Sequence, residues 1–183
     1  KHASQRNSNY APAQNCLGIA HFNLGNVADA QNYFKVACKI NPGFSDAHNN
    51  LANTLTRQNK LDKAHRHYDI ALKLEPKNAT FWTNKASAFQ AENKTSLALS
   101  ACEKALEIEP NNADAKWNRG ISRLVEGDYK KGFADYEARW LLPEFNRQKR
   151  EGVLWDGQDL NDKSILLHSE QGYGDTIQFI RYA

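Results

Sequence analysis

Apolar and small residues recur along the chain in blocks of helical periodicity, separated by short polar turns. In the first block, the pattern of one helix runs from about Pro12 to Leu24, and that of a second runs from about Ala28 to Ile40. Proline suits the first turn of a helix and disfavours helix in the residue before it, so Pro12 fits a start and Pro42 fits an end. The pattern predicts two antiparallel helices joined by a tight turn.

This pattern occurs four times, because several columns of the sequence keep a step of 34 residues. Proline recurs after the second helix, and glycine or asparagine, which tolerate the left-handed conformation that closes a helix, recur between the two helices. Small residues recur in the middle of both helices, where they let the pair approach closely. The columns are Pro42, Pro76 and Pro110; Gly25, Asn59, Asn93 and Gly127; Gly18, Ala52, Ala86 and Gly120; and Ala30, Ala64, Ala98 and Gly132.

Larger side chains at Phe34, Tyr68 and Tyr136 are expected to fill the seam between the paired helices. One hairpin cannot bury its apolar face alone, whereas stacked copies bury a continuous core. The sequence therefore predicts an all-α chain built as a stack of helix hairpins.

These columns resemble the tetratricopeptide repeat family, whose units of about 34 residues carry the same small, aromatic and proline positions. The resemblance covers residues 11–144 and implies a right-handed superhelix of antiparallel helix hairpins. The repeats are 11–44, 45–78, 79–112 and 113–144, and the last departs from the pattern at Arg139 and Glu144. Residues 1–10 are expected to be a tail or the remnant of an earlier repeat.

Two positions before the small column stands a column of amides, Asn50, Asn84 and Asn118, with Cys16 in the first repeat. Two residues turn a helix by about 200°, so these side chains are expected to point away from the partner helix. The resemblance implies that the first helices line a concave groove, and the column is similar to the asparagine ladder of O-linked N-acetylglucosamine transferases. Packed helices lie roughly 8–10 Å apart and an extended peptide rises about 3.3 Å per residue, so one amide would meet every third peptide unit.

Four neighbouring residues are expected to share the groove: Asn15, Asn49, Asn53 and Arg57. The alternative is that all these residues are ordinary polar surface. If the ladder binds a peptide, replacing its three asparagines by alanine is expected to weaken binding while barely changing the melting temperature.

Composition and charge exclude several classes of function. A net charge of +3 is too small and too dispersed for a nucleic-acid-binding surface. No apolar run approaches the roughly 18 residues of a membrane span, and residues 1–20 contain no signal-peptide core. An odd number of cysteines without CxxC spacing, at Cys16, Cys38 and Cys102, argues against a disulfide framework or a zinc site and favours the cytoplasm. We expect no metal and no cofactor.

The sequence predicts no binding role for the histidines and tryptophans considered next. His65 and His67 are two residues apart and do not share a helix face, so solvated side chains are expected there rather than a metal site. Trp82 and Trp117 lie near the starts of first helices and are expected to pack between repeats.

After residue 144 both composition and period change. A basic linker, 146–150, precedes a turn at 155–157, and the apolar run 163–168 predicts a buried strand. Gly172 and Gly174 follow in a turn before a helical segment, 176–183, which is an arrangement that can bind phosphate.

This tail resembles the junction at which bacterial proteins join tetratricopeptide repeats to a heptosyltransferase-like glycosyltransferase domain with a nucleotide fold. The resemblance implies that Asp175 matches the base of that family and that Gly172 and Gly174 match its loop. A strand, turn and helix cannot build the cleft that nucleotide-sugar transfer needs, so the chain as given is expected to be non-catalytic.

The leading hypothesis is a protein-interaction scaffold that binds an extended peptide or a partner protein in its groove. One alternative is the acceptor-recognition region of a tetratricopeptide-repeat glycosyltransferase whose catalytic domain lies beyond residue 183. Another is a self-associating structural array whose partner is a second copy. The tail, 145–183, is expected either to pack on the fourth hairpin or to pair with another copy.

Overall fold

The computed structural model describes residues 10–143 and residue 159. Residues 10–143 contain eight α-helices, followed by a 3-10 turn at Glu137–Leu141, and this confirms the predicted all-α class. The helices are α1 (Ala11–Asn23), α2 (Val27–Ile40), α3 (Ser45–Arg57), α4 (Leu61–Leu74), α5 (Ala79–Ala91), α6 (Thr95–Ile108), α7 (Ala113–Val125) and α8 (Tyr129–Tyr136).

The chain divides into one unit that ends at Arg139 and a second that starts at Trp140, and all eight helices belong to the first. The strand–turn–helix fragment predicted for the tail, with Gly172, Gly174 and Asp175, lies outside the described residues, as do residues 1–9. Those assignments stay predictions.

Consecutive helices pair into hairpins, and every hairpin closes with the same turn. Gly25, Asn59, Asn93 and Gly127 all have a positive φ, between 56° and 85°, which confirms the left-handed positions expected from the sequence. In each turn the next amide N–H donates to the carbonyl five residues earlier at 2.9 Å, as Lys60 does to Leu55. This bond satisfies a carbonyl that the end of the first helix leaves unpaired.

The two helices of a hairpin approach closely because small residues occupy the positions where they meet. A Cβ added to Gly18 would lie 2.5 Å from the ring of Phe34, and one added to Gly120 would lie 2.7 Å from the backbone nitrogen of Tyr136. Phe34 and Tyr68 are buried and fill the seam as predicted, whereas Tyr136 is only half-buried. The seam of the fourth hairpin is thus formed by closer contact between the helix backbones.

The hairpins stack in chain order. Each second helix packs on the first helix of the next hairpin, and neighbouring first helices also contact one another, as α1 does α3 and α3 does α5. Second helices make no such contacts with one another among the described residues. The first helices therefore form the more closely spaced layer, which lies on the inner side of the stack.

The fourth repeat differs in structure as well as in sequence. Its second helix, α8, has only eight residues, and the chain continues from it into the 3-10 turn. Asp135 on this helix receives hydrogen bonds from Arg119 at 2.7 and 2.8 Å and from Arg123 at 2.5 Å. Arg139, which replaces the alanine of the other repeats, is buried and donates to the carbonyl of Tyr136 at 3.2 Å.

Trp82 packs between repeats, as the sequence predicts. Its ring contacts buried residues of α4 and of α6, and its Nε1–H donates to the carbonyl of Pro76 at 3.0 Å. Lys104 places its ammonium group 4.5 Å from the ring centroid, which adds a cation–π contact. Trp117, which occupies the position of Thr83 in the fourth repeat, is half-buried.

The prediction that the side chains of His65 and His67 are solvated is wrong. His65 lies 4.5 Å from the ring of Phe89 and contacts Glu92 in the next repeat at 3.0 Å. The two histidines point to different partners because a two-residue step places them on different helix faces. Within residues 10–143 and 159, no three His, Cys, Asp or Glu side chains are arranged to hold a metal ion.

His67 instead faces His48 of α3, with 3.0 Å between the two Nδ1 atoms. The Nε2 of His48 lies 3.1 Å from the carbonyl of Pro42, which can only accept, so this nitrogen carries the proton. Nδ1 of His48 is then the acceptor and Nδ1 of His67 the donor, an arrangement that two neutral rings can make. Burial lowers the pKa of both histidines, and the nearby His48 and Lys35 lower the pKa of His67 further.

The three cysteines are free thiols, with Cys16 exposed, Cys38 half-buried and Cys102 buried. Burial raises the pKa of Cys38 to about 11 and that of Cys102 to about 12. No helix within residues 10–143 is both long enough and apolar enough to cross a lipid bilayer.

Candidate functional site

Neighbouring first helices meet along five columns of side chains, which we call the inner-face columns. They begin at Asn15, Cys16, Ile19, Phe22 and Asn23 and repeat every 34 residues. Each side-chain hydrogen bond between successive first helices of the described chain includes a residue of these columns. The predicted site residues on these helices, the amide column Asn50, Asn84 and Asn118 together with Asn15, Asn49, Asn53 and Arg57, all belong to this set.

Asparagines of two adjacent columns join successive repeats. The side-chain N–H of Asn50 donates to Oδ1 of Asn15 at 3.0 Å, and that of Asn84 donates to Oδ1 of Asn49 at 3.0 Å. Each bond connects residues 35 positions apart. Asn15 and Asn49 are buried, so both bonds are protected from water and help to fix the spacing of the first helices.

At the junction of the third and fourth repeats, the asparagine of the amide column has a different hydrogen-bond partner. Thr83 stands where Asn15 and Asn49 stand in the earlier repeats, and its hydroxyl donates to the carbonyl of Ala79 at 2.9 Å. Asn118 therefore donates to Oγ of Ser87, at 3.0 Å. Gln90 completes this junction by donating to the carbonyl of Asn118 at 2.7 Å and to Oγ of Ser122 at 2.9 Å.

The amides of the column differ in what they can offer a ligand. Asn118 is buried, with 7% of its surface exposed, whereas Asn50 and Asn84 are half-buried. After the bond to the preceding repeat, Asn50 and Asn84 each keep one N–H and the amide oxygen without a partner among the described residues. One donor and one acceptor on the same group match the N–H and C=O of an extended peptide.

Asn53 and Arg57 lie on α3 beside this column. Asn53 accepts a hydrogen bond from the hydroxyl of Tyr68 at 2.7 Å, which leaves its amide N–H groups as donors. Arg57 is exposed, and its guanidinium carbon lies 5.0 Å from the ring centroid of Phe22. This cation–π contact holds the charge at the junction of the first two repeats.

A cleft opens at the same junction. Its volume is about 200 Å³, its wall is apolar at α1 and at the buried Phe34, and its rim carries three amides. The lining residues are Ile19, Phe22, Asn23, Phe34, Asn50 and Asn53. Pockets for cofactors and drug-sized molecules begin at roughly 300 Å³, so this cleft suits a single side chain.

A second, wider opening of about 580 Å³ lies at the turns that join the repeats. Glu75 and Glu109 line it, and each is tied to the asparagine three residues later, Asn78 at 3.0 Å and Asn112 at 2.9 Å. Hydrogen bonds from Ser45 and Asn78 lower the pKa of Glu75. These acids therefore help to shape the turns between the repeats.

Sequence reasoning placed the amide column on the inner layer but missed the bonds between repeats. The available signal was a second column of asparagines beside the first. Asn49 directly precedes Asn50, and Asn15 occupies the position of Asn49 in the first repeat. The cleft and the roles of Gln90 and Ser87 were also missed, because they depend on how two first helices face each other.

Three matches to the family described as tetratricopeptide repeat cover residues 11–44, 45–78 and 79–112, which together exceed half of the chain. Their bounds coincide with the first three predicted repeats. Protein FlbA of Caulobacter vibrioides is 36% identical over 63 residues, which is 33% of this chain and 11% of FlbA. The chain thus matches only about a tenth of that relative's length.

Solved structures share the fold. A thermophilic TPR protein of Thermus thermophilus superposes with a TM-score of 0.69 at 20% identity, covering 75% of this chain and 77% of that one. The first TPR of Spaghetti (RPAP3), bound to an HSP90 peptide, gives a TM-score of 0.61 at 21% identity, covering 64% of this chain and 93% of that one. The repeat matches and the helix hairpins agree, and the chain therefore belongs to the tetratricopeptide repeat family.

Proposed function

We propose that this chain is a non-catalytic scaffold that holds an extended segment of a partner protein along its inner face. The observation that carries the proposal is the pair of half-buried amides, Asn50 and Asn84, each with an unpaired N–H and an unpaired oxygen among the described residues. Their side chains are fixed by bonds to the preceding repeat, so binding a peptide would cost little further side-chain entropy.

Spacing supports recognition of the peptide main chain. First helices packed roughly 8–10 Å apart place successive amides about three peptide units apart. Each amide–peptide bond contributes only about 1 kcal/mol, so affinity depends on several such contacts and on side-chain pockets. The related fold of Spaghetti (RPAP3), which holds an HSP90 peptide, supports peptide binding by a stack of this kind.

The bonds between repeats revise the expected effect of removing the amides. Alanine at Asn84 removes both the ligand contact and the donor to Asn49, so it is expected to lower the melting temperature as well as the affinity. Alanine at Asn49 removes the same inter-repeat bond and leaves the Asn84 amide in place. The two variants form a matched pair that separates binding from stability.

The test starts from random dodecapeptides displayed on phage and selected on the full 183-residue chain. Selected peptides are synthesised, and their Kd is measured by fluorescence anisotropy. Asn84→Ala is expected to weaken binding roughly fivefold or more, about 1 kcal/mol, while Asn49→Ala lowers the melting temperature similarly and keeps most of the affinity. Equal affinities for wild type and Asn84→Ala, or no selected peptide at all, would refute the proposal.

Acceptor recognition for a glycosyltransferase is the second candidate, and it rests on the sequence motif that contains Gly172, Gly174 and Asp175. In that case the bound segment is the acceptor protein, and the inner face performs the same task. Reading the open reading frame beyond Ala183 tests it, since a second nucleotide-binding half would be required.

A further inference from the structure

We infer that the junction of the first two repeats selects a peptide in which an apolar side chain is followed, two residues later, by an aspartate or glutamate. This inference rests on the proposed function and specifies its partner. The cleft takes the apolar side chain, Asn50 and Asn53 bind the main chain, and Arg57 pairs with the acidic side chain.

The size and lining of the cleft define the apolar part of the ligand. Phe34 is buried at its floor with 1% of its surface exposed, and Ile19 at its wall is 40% exposed. A volume of about 200 Å³ with an apolar wall suits one aliphatic or aromatic side chain. Filling it removes the exposed apolar surface of Ile19 and Phe22 from water, which favours binding.

The amides at the rim present complementary groups to a main chain. Asn53 has its oxygen bonded to Tyr68, so its N–H groups face outward as donors. Asn50 keeps its oxygen as an acceptor and one N–H as a donor. Together they can bind both the C=O and the N–H of a peptide whose side chain enters the cleft.

Charge defines the second ligand position. The five inner-face columns of the described first helices contain a single charged residue, Arg57. No carboxylate of the described chain lies within ion-pair distance of its guanidinium. An exposed cation beside an apolar cleft, without acids in the five inner-face columns, is complementary to one carboxylate.

The distance between Arg57 and Asn50 indicates that the carboxylate belongs to a peptide side chain and not to a peptide C-terminus. Arg57 follows Asn50 by seven residues on α3, which is about 10 Å along the helix axis. A main-chain terminus held at Asn50 would lie on the amide line, whereas an acidic side chain can extend toward the guanidinium. Residues i and i+2 of an extended peptide face the same side, about 6.6 Å apart. Because the guanidinium carbon of Arg57 lies 5.0 Å from the ring centroid of Phe22, which lines the cleft, one side chain can enter the cleft while the other meets Arg57.

The probe is a synthetic peptide of roughly 12 residues with capped ends, a Gly-Ser background, and Leu-Ser-Glu at its centre, long enough to span several first helices. Matched peptides carry Gln for Glu or Ser for Leu, and another ends in a free carboxylate after Leu-Ser. Binding to the full chain is measured by fluorescence anisotropy. Glu→Gln is expected to weaken binding to wild type roughly tenfold, because the charged hydrogen bonds to Arg57 are lost.

In the protein, Arg57→Gln is expected to abolish the preference for Glu over Gln, and Arg57→Lys to keep most of it. Arg66→Gln is the matched control, because it removes the same charge from an exposed position on α4. Ile19→Trp fills the cleft and is expected to make the Leu and Ser peptides bind equally.

Equal binding of the Glu and Gln peptides to wild type overturns the inference, and so does tighter binding of the peptide with a free C-terminus. If phage-selected peptides bind in an Asn84-dependent way while the Leu-Ser-Glu probe does not, this inference fails and the proposed function stands. If neither binds, both fail.

Discussion

The His48–His67 pair makes the stability of the protein depend on pH. Burial lowers the pKa of both rings in the folded chain, and the nearby His48 and Lys35 lower the pKa of His67 further. In the unfolded chain each titrates near the ordinary value of 6.5. Below that pH the unfolded state binds more protons than the folded state, so stability must fall as pH decreases.

We therefore expect the melting temperature to be nearly level around pH 7 to 8 and to fall as the pH decreases below about 6.5. His67→Gln keeps a donor for His48 and removes one titrating ring, so the fall should shrink by about half. Calorimetry at several pH values measures this, with His21→Gln as the control because its ring is not part of the pair. An unchanged pH dependence in His67→Gln would show that the pair does not titrate as described.

Single residues also show what the sequence could and could not predict. The left-handed turn residues were predictable at Gly25 and Asn59, because few residue types tolerate that conformation and the choice is local. The partner of Asn50 was not, because it depends on the stagger between two helices 35 residues apart in sequence. The same reason explains why His67 was misread as solvated.

At the scale of helices, the repeat pattern predicted the bounds closely. The first helix was expected from about Pro12 to Leu24 and runs from Ala11 to Asn23, since proline and the turn glycine mark both ends. The shortening of α8 was not predicted. The sequence does show that Arg139 replaces the alanine of the other repeats. Whether a helix continues as far as such a residue depends, however, on the contacts that the residue makes.

The small residues at which paired helices meet predict how the stability of a hairpin responds to an added methyl group. In an unconstrained helix interior, Gly→Ala would stabilise by up to about 1 kcal/mol. At Gly120 the new methyl group would lie 2.7 Å from the backbone nitrogen of Tyr136 and 3.0 Å from the carbonyl oxygen of Gly132, neither of which can rotate away. Gly120→Ala is therefore expected to destabilise the protein by about 1–3 kcal/mol.

Urea unfolding followed by circular dichroism measures the change. Gly43→Ala is the matched control, because its methyl group would meet only Oδ1 of Asn41 at 3.5 Å. It should be within about 0.5 kcal/mol of wild type. A Gly120→Ala variant as stable as this control would contradict the close packing of α7 and α8.

Across the whole stack, burial is uneven. The helices of the second and third repeats contribute most of the buried apolar side chains, whereas α8 buries only Gly132 and exposes Tyr129 and Phe133. In repeat proteins the local stability of a unit follows the burial it shares with its neighbours.

Amide hydrogen exchange should therefore be fastest in α8 among the eight helices and slowest in α3 to α6. Mass spectrometry of peptic fragments under native conditions resolves the four hairpins. Exchange in α8 as slow as in α5 would show that the fourth hairpin is more stable than its burial indicates.

The asparagine bonds between repeats also set a rule for changing the number of units. The repeat 45–78 carries both halves of the bond, the acceptor Asn49 and the donor Asn50. Excising this unit would bring Asn84 opposite Asn15, and duplicating it would set a second Asn50 opposite the first Asn49. Either edit keeps a donor facing an acceptor, so this segment can be removed or repeated while each affected junction between repeats keeps its asparagine bond.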